Sequence, residues 1–211
     1  MKKVLIGCEC SGIVREAFRI RGFDAWSCDL KDAEDSSEFH LKRDVREAIA
    51  YNTWDLIIAH PDCTALTVAG NGTYAKGKEK HYMRLEAAIW TEDLWSLAKS
   101  HSPRVCFENP VGVLSTLTKM GKAKYIQPYD FGHNASKKTG LWLHNLPPLQ
   151  KVLRVEGRFV NGKERWDNQT DSGQNKLGPS KTRAADRSRT YTGIAEAMAS
   201  QWGPLLKGEE Y

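Results

Sequence analysis

Lys3-Val4-Leu5-Ile6-Gly7-Cys8-Glu9-Cys10-Ser11-Gly12-Ile13-Val14-Arg15-Glu16-Ala17-Phe18-Arg19-Ile20-Arg21-Gly22 decides the fold. It opens on a short apolar run, passes through a turn of small residues, and continues from Ile13 to Arg21 with apolar residues at helical spacing until Gly22 stops it. That order spells strand, tight turn, helix. Working outward, Asp24 to Asp29 makes a second strand with Asp29 at its tip, and Phe39 to Val45 a shorter third that carries Asp44 near its end. Residues 46 to 52 suit a crossover helix before the strand Trp54 to Ala59. Tyr82 to His101 is a long amphipathic helix before the strand Arg104 to Pro110. Strands that alternate with helices predict right-handed βαβ units and a largely parallel sheet covered on both faces.

Farther along, Tyr125 to Phe131 and Gly140 to Leu143 read as two more strands, an antiparallel hairpin at one edge, closed by Pro147-Pro148. The last element, Thr192 to Trp202, places Ile194, Ala197, Met198 and Trp202 on one helical face for docking on the sheet. Residues 70 to 80 and 161 to 184 lack periodicity and are expected to be loops. With 211 residues, one substantial core is the default, so residues 1 to 211 are expected to form a single domain.

Composition narrows the function classes. No apolar run approaches the roughly eighteen residues of a membrane span, and an acidic residue follows the start too closely for a secretory signal, so a cytoplasmic protein is expected. The five cysteines, Cys8, Cys10, Cys28, Cys63 and Cys106, form no CxxC pair and no Cys/His ladder. Neither a disulfide framework nor a metal site is supported, and they are expected to be reduced thiols. The net charge of +5 is concentrated between Lys151 and Thr190, where ten Lys or Arg face five Asp or Glu. A basic, loop-rich segment over 151 to 187 suits a polyanion such as nucleic acid, although a solvated basic surface without a partner has the same composition.

Polar residues recur at the carboxyl ends of the strands. They are Glu9 to Gly12 after the first, Asp29 after the second, Asp44 after the third, Cys63 after the fourth and Glu108-Asn109-Pro110 after the fifth, the rim where open α/β sheets bind ligands. The first turn offers only Gly7 and Gly12, short of the glycine spacing that cradles a pyrophosphate. An acidic residue at the second strand tip can accept both ribose hydroxyls, which suits a nucleoside cofactor without a diphosphate. S-adenosyl-L-methionine fits that description, with Gly7, Glu9, Ser11, Gly12, Asp29, Asp44 and Pro61 as the candidate binding residues. His60-Pro61-Asp62-Cys63-Thr64 ends a buried strand and presents a cysteine at the rim, where a substrate can reach it.

Five stretches occur in order: Gly7 to Phe18, Ala59 to Leu66, Glu108-Asn109-Pro110, Phe131-Gly132 with Lys137 to Leu143, and Arg187 to Ala195. Together they resemble the short DNA cytosine-5 methyltransferase-like proteins of bacteriophages and prophages, over nearly the whole chain. The resemblance implies a Rossmann-like class I methyltransferase fold, with a seven-stranded, mostly parallel sheet and an antiparallel edge hairpin. It also implies an S-adenosylmethionine-dependent transfer to C5 of cytosine in DNA. Because C5 is a weak nucleophile, that family adds a thiolate to C6 and turns the ring into an enamine; Cys63 matches the thiolate. Glu108 matches the acid that relieves charge at N3 and N4, Asn109 its positioning neighbour, and Lys137 or Lys138, of which Lys138 is taken as the candidate, the basic residue near the base. Residues 67 to 81 resemble a loop that closes over an extruded base.

Three departures bear on the activity. Asp62 stands where most relatives have a second proline, and a neighbouring carboxylate disfavours a thiolate unless it points away or is paired. Thr64 replaces the usual glutamine, and Ser136-Lys137-Lys138-Thr139 the arginine-containing strand motif. About forty-five residues separate Leu143 from Ser188, too few for a recognition domain with its own core. A short or relaxed DNA target, single-stranded DNA, or a protein partner that supplies recognition would each suit that length. Two alternatives stand beside DNA methylation: a methyltransferase acting on free cytosine nucleotides or RNA, and a non-catalytic nucleic-acid-binding protein on the same scaffold.

Overall fold

The structure, a computed structural model, describes residues 1–178, 180 and 183–208, with the side chains of 183–185 left aside. Pro179, Lys181 and Thr182 of the expected basic segment lie outside the described residues. In chain order the elements are β1 (Lys3–Gly7), α1 (Ile13–Arg19), β2 (Asp24–Asp29), β3 (His40–Lys42), α2 (Val45–Tyr51) and β4 (Leu56–Ala59). There follow α3 (Asn71–Tyr74), α4 (His81–His101), β5 (Val105–Pro110), α5 (Leu114–Leu117), β6 (Lys124–Ile126) and β7 (Thr139–His144). The chain ends with β8 (Arg158–Val160), β9 (Lys163–Arg165), α6 (Arg183–Ser188) and α7 (Thr192–Lys207).

Seven strands form one sheet in the order β3-β2-β1-β4-β5-β7-β6. β1 to β5 are parallel, and β7 runs antiparallel to both β5 and β6, which makes the expected edge hairpin. The pleat sorts alternate residues of the apolar runs onto opposite faces. Val4, Ile6, Leu56, Ile58, Cys106 and Leu141 meet α1 and α7 through Phe18, Ile194, Met198 and Trp202, all buried. Leu5, Ile57, Val105, Phe107 and Trp142 meet α2 and α4 through Ile49, Leu94, Trp95 and Ala98. Trp202 is fully buried, and its indole N–H donates to the Pro147 carbonyl at 3.0 Å, so its one polar atom is satisfied inside the core. Register then fixes the rim: Gly7 lies level with Ala59, and Ala59 with Phe107, so the residues that follow each strand emerge side by side.

Two expectations need correction. The strand expected over Tyr125 to Phe131 is cut to Lys124–Ile126, because Pro128 has no N–H for a ladder and starts a 3-10 turn over Pro128–Asp130. Residues 161 to 184 are not wholly loop. β8 and β9 form a two-residue hairpin whose turn, Asn161-Gly162, has φ of 49° and 71°, the left-handed pair that an Asn-Gly turn favours. The hairpin is anchored by Trp166 stacked on Tyr129 at 4.0 Å between ring centroids, and it leaves Phe159 73% exposed, opposite Glu164.

Candidate active site

A cavity of about 680 Å³ opens at the carboxyl ends of β1, β2 and β4. Its wall is built from Cys8 to Ser11, Asp29 to Lys31, Asp44, His60, Asp62 and Thr64, with Trp90 of α4 and Arg189 closing the far side. The turn after β1 is tight: Cys8 takes φ 57° and Gly12 φ 72°. A Cβ on Gly12 would meet only the ends of the Arg15 and Asp35 side chains, so it is the left-handed backbone that calls for glycine there.

Each candidate cofactor residue can be placed. Glu9 is buried and caps α1 from outside the helix: its carboxylate accepts from the Val14 N–H at 2.8 Å, the Arg15 N–H at 3.3 Å and the Ser11 hydroxyl at 3.2 Å. It thereby satisfies donors at a helix start whose own cap residue, Gly12, has no side chain. Asp29 lines the cavity at the tip of β2, with one oxygen accepting from the Lys31 N–H at 3.0 Å. Asp44 caps α2 through the Arg46 N–H at 2.8 Å, and the hydrogen bonds from the Arg46 guanidinium, ahead of that N–H, hold its carboxyl below the usual range. Gly7 ends β1, and Pro61 is buried beneath the loop that it opens.

Acidic lining outweighs basic in this cavity: Glu9, Asp29, Glu34, Asp44 and Asp62 against Lys31, Arg43 and Arg189. Such a wall repels phosphates and suits a cationic ligand, and the volume is that of a small-molecule site. The donor set therefore fits S-adenosylmethionine, a sulfonium with ribose hydroxyls for Asp29.

β4 and β5 deliver the reactive groups. The Asn109 amide donates to the Pro61 carbonyl at 2.8 Å, tying the end of β5 to the loop after β4. Cys63 is half-buried in that loop. Burial raises the Cys63 thiol above its ordinary value, the Asp62 and Glu108 carboxylates add to the rise, and Lys137 opposes it. Asp62 is turned into the loop, where one oxygen accepts from the Thr64 N–H at 2.9 Å and the Thr64 hydroxyl at 2.7 Å. Glu108 is nearly buried and pairs with His60 at 3.0 Å, Nδ1 to Oε2. Burial pushes the Glu108 carboxyl up, but the His60 bond and charge, with Lys137 and Thr139, more than offset it and leave it lowered.

Of the adjacent lysines, Lys137 is the one whose charge reaches Cys63 and Glu108, and its ammonium donates to the Arg189 carbonyl at 3.2 Å. Lys138 lies over the Tyr125 ring, 4.6 Å from its centroid, and is not brought to this cluster.

Sequence reasoning missed two residues. His60 is one; its signal was the register that sets it level with Glu108. Arg84 is the other, a buried arginine of α4 that donates to the Ala65 carbonyl at 2.7 Å, the Thr67 carbonyl at 3.1 Å and the Asn71 amide oxygen at 3.0 Å. It pins residues 65 to 71, which include a 3-10 turn and the first residue of α3, so the expected closing loop is anchored at its base.

No family model matches the chain, and no curated protein does. Solved structures that are similar include a protein described as a DNA modification methyltransferase encoded within an E. coli prophage. It is 12% identical, with a TM-score of 0.41, over 68% of this chain and 46% of that one. The Entamoeba histolytica methyltransferase EhMeth is 13% identical, with a TM-score of 0.49, over 74% and 58%. A mutant of Spodoptera frugiperda DNMT2 is 14% identical, with a TM-score of 0.41, over 78% and 57%. The chain spans about half the length of these solved structures. On its own strand order and its antiparallel seventh strand, the sheet is that of a Rossmann-like class I methyltransferase. Among the described residues no helix is long and apolar enough to cross a membrane.

Proposed function

We propose that this chain is an S-adenosylmethionine-dependent methyltransferase acting on C5 of cytosine in DNA. One observation carries the proposal: Glu108 on β5 and Cys63 on the loop after the adjacent parallel strand β4 are tied together by the Asn109 to Pro61 bond, beside a cavity that Asp62 and Thr64, the neighbours of Cys63, line and that suits a cationic nucleoside. A thiol and a carboxyl in that relation are what addition to C6 and relief of charge at N3 require. The donor, when bound, supplies an electrophilic methyl group. The chain's own part is to present the Cys63 sulfur to the ring, to hold the Glu108 carboxyl at the ring's polar edge, and to keep the Cys63 loop in place through Asn109 and Arg84. Support for a nucleic-acid substrate comes from the basic segment and from the exposed Phe159 on the β8–β9 hairpin, an aromatic face that suits stacking on a base.

The test is incubation of wild-type protein with DNA and a labelled methyl donor, followed by nucleoside mass spectrometry. Label on C5 of deoxycytidine is expected. Label on adenine or on N4 would reject the proposal, label on RNA alone would move the substrate, and DNA binding without any label would point to a non-catalytic protein.

Asp62 gives a pH prediction. The Cys63 thiol is raised, so methylation should climb with pH as the thiolate forms, and Asp62 is one of the charges responsible. Asp62→Asn keeps an acceptor for Thr64 but removes the charge, so the rising limb of the rate profile should move to lower pH. An unmoved limb would mean that a group other than the thiol sets it.

A further inference from the structure

We propose that His60 is the residue that positions Glu108 and holds the proton that Glu108 passes to the pyrimidine. The inference rests on the cytosine-5 chemistry above and adds a residue to it.

Three observations converge on His60. First, Ala59 and Phe107 are paired in register, so the next residues, His60 and Glu108, leave β4 and β5 side by side, and their side chains meet at 3.0 Å with only 11% and 12% exposure. A hydrogen bond this sheltered is not exchanged for water, and it fixes one carboxyl oxygen. Second, Nε2 of the same ring is buried and has no hydrogen-bond partner among the described residues, so Glu108 alone orients the imidazole. Third, His60 lines the cavity wall, so the imidazole joins the Glu108 carboxyl to the cofactor side of the site.

The groups around the pair are Glu9 from the turn after β1, Cys63 with Asp62 on the loop after β4, and Lys137 with Thr139 at the start of β7. Burial lowers the His60 imidazole, but the bond and charge of Glu108, with Glu9 behind, outweigh both that and Lys137 and leave it raised. Both shifts favour the charged pair, imidazolium beside carboxylate, with one proton on the hydrogen bond between them. In the step, a bond forms between the Cys63 sulfur and C6, and the electron pair of the C5–C6 double bond shifts toward N3. One proton arrives at N3 by way of the Glu108 carboxyl, and one leaves Nδ1 of His60. The thiolate's negative charge and the imidazolium's positive charge disappear together, so no net charge is created in a buried site.

Thiolate addition can be read without any methyl donor, because C6 addition lets C5 of cytosine exchange its hydrogen with solvent deuterium. Wild-type protein and a cytosine oligonucleotide in heavy water should show that exchange, falling at high pH as His60 loses its proton. His60→Gln keeps a donor for Glu108 but cannot supply a proton. It should slow exchange by about 100-fold, the scale of one lost acid, and move the falling limb into the carboxylic-acid range. Equal rates and equal profiles in the two proteins, at equal melting temperature, would overturn the role of His60 while leaving Cys63 untouched. Absence of exchange in the wild type would instead overturn the cytosine chemistry, and His60's part with it. Should the variant not fold, the wild-type imidazole can be titrated by NMR: a midpoint that coincides with the exchange limb supports the role, and one that does not refutes it.

Discussion

Cys63→Ala is expected to abolish 5-methylcytosine formation, with a loss of about 10⁴-fold or more, because covalent mechanisms that lose their nucleophile retain only what binding and electrostatics supply. The fold should survive. Cys63 is only half-buried, and the backbone bonds from Leu66 N and Thr67 N to the Cys63 carbonyl, at 3.0 and 3.1 Å, do not involve its side chain. A melting temperature within about 2 °C of wild type is therefore expected. The same variant should also fail to form a covalent complex with a 5-fluorocytosine oligonucleotide, which wild type traps because fluorine at C5 cannot leave as a proton. Two other thiols border the cavity and provide the natural competitors. Cys8 is pushed up to about 12 by burial and by the Asp29 carboxylate, which keeps it protonated, and Cys10 is raised as well, with its sulfur on Glu34 at 3.7 Å. Undiminished methylation by Cys63→Ala would pass the role to one of these, and Cys10, the more exposed, would be the next to replace.

How much of this was legible in the sequence depends on the range of the interaction. β1, β2, β4 and β5 could be read because each is an apolar run that ends in polar residues, and both properties are local. The rim followed from βαβ logic alone, and so did the nearness of Cys63 to Glu108. Glu9 was singled out for a cofactor, whereas its carboxylate also closes the start of α1. That dual position could be inferred only from the missing side chain at Gly12. Arg84 reads as a surface charge on a helix, since nothing within its own turn says that three acceptors lie in a loop up to nineteen residues upstream. Lys137 and Lys138 could not be separated by sequence, because what sends them apart is contact with distant groups, the Arg189 carbonyl for one and the Tyr125 ring for the other. The Asn161-Gly162 turn is a local signal that was present and passed over, because only the triplet before it, Arg158 to Val160, has β-prone residues, whereas Lys163-Glu164-Arg165 after it has none.

Gly112→Ala should lower stability by about 3 kcal/mol and activity along with it, although Gly112 touches neither the cavity nor the reacting groups. Gly112 follows β5 and faces Thr67 in an isolated antiparallel bridge, held by Val68 N to the Val111 carbonyl at 3.1 Å and Val113 N to the Leu66 carbonyl at 2.9 Å. A Cβ there would stand 2.0 Å from the Leu66 oxygen, 2.8 Å from its carbonyl carbon and 2.9 Å from the Thr67 Cα, all backbone atoms. No rotamer change relieves that contact, so the two strands must part. Retreat is blocked on the other side, because Leu66 is fully buried and Arg84 grips the Ala65 and Thr67 carbonyls. Overpacking of this kind costs about 1–3 kcal/mol, and each bridge bond lost adds about 1 kcal/mol. For a chain of this size, about 3 kcal/mol amounts to a fall of roughly 6–12 °C in Tm. The displacement also reaches chemistry, since Leu66 and Thr67 are the residues whose N–H groups hold the Cys63 carbonyl. Gly72→Ala is the matching control: its Cβ would meet nothing within 4 Å, and α3, where it sits, accepts alanine. Thermal denaturation and methyl transfer measured on both variants separate the two cases. If Gly112→Ala melts with Gly72→Ala and wild type, the loop that carries Cys63 is free to yield, and its anchoring by Arg84 is weaker than three hydrogen bonds imply.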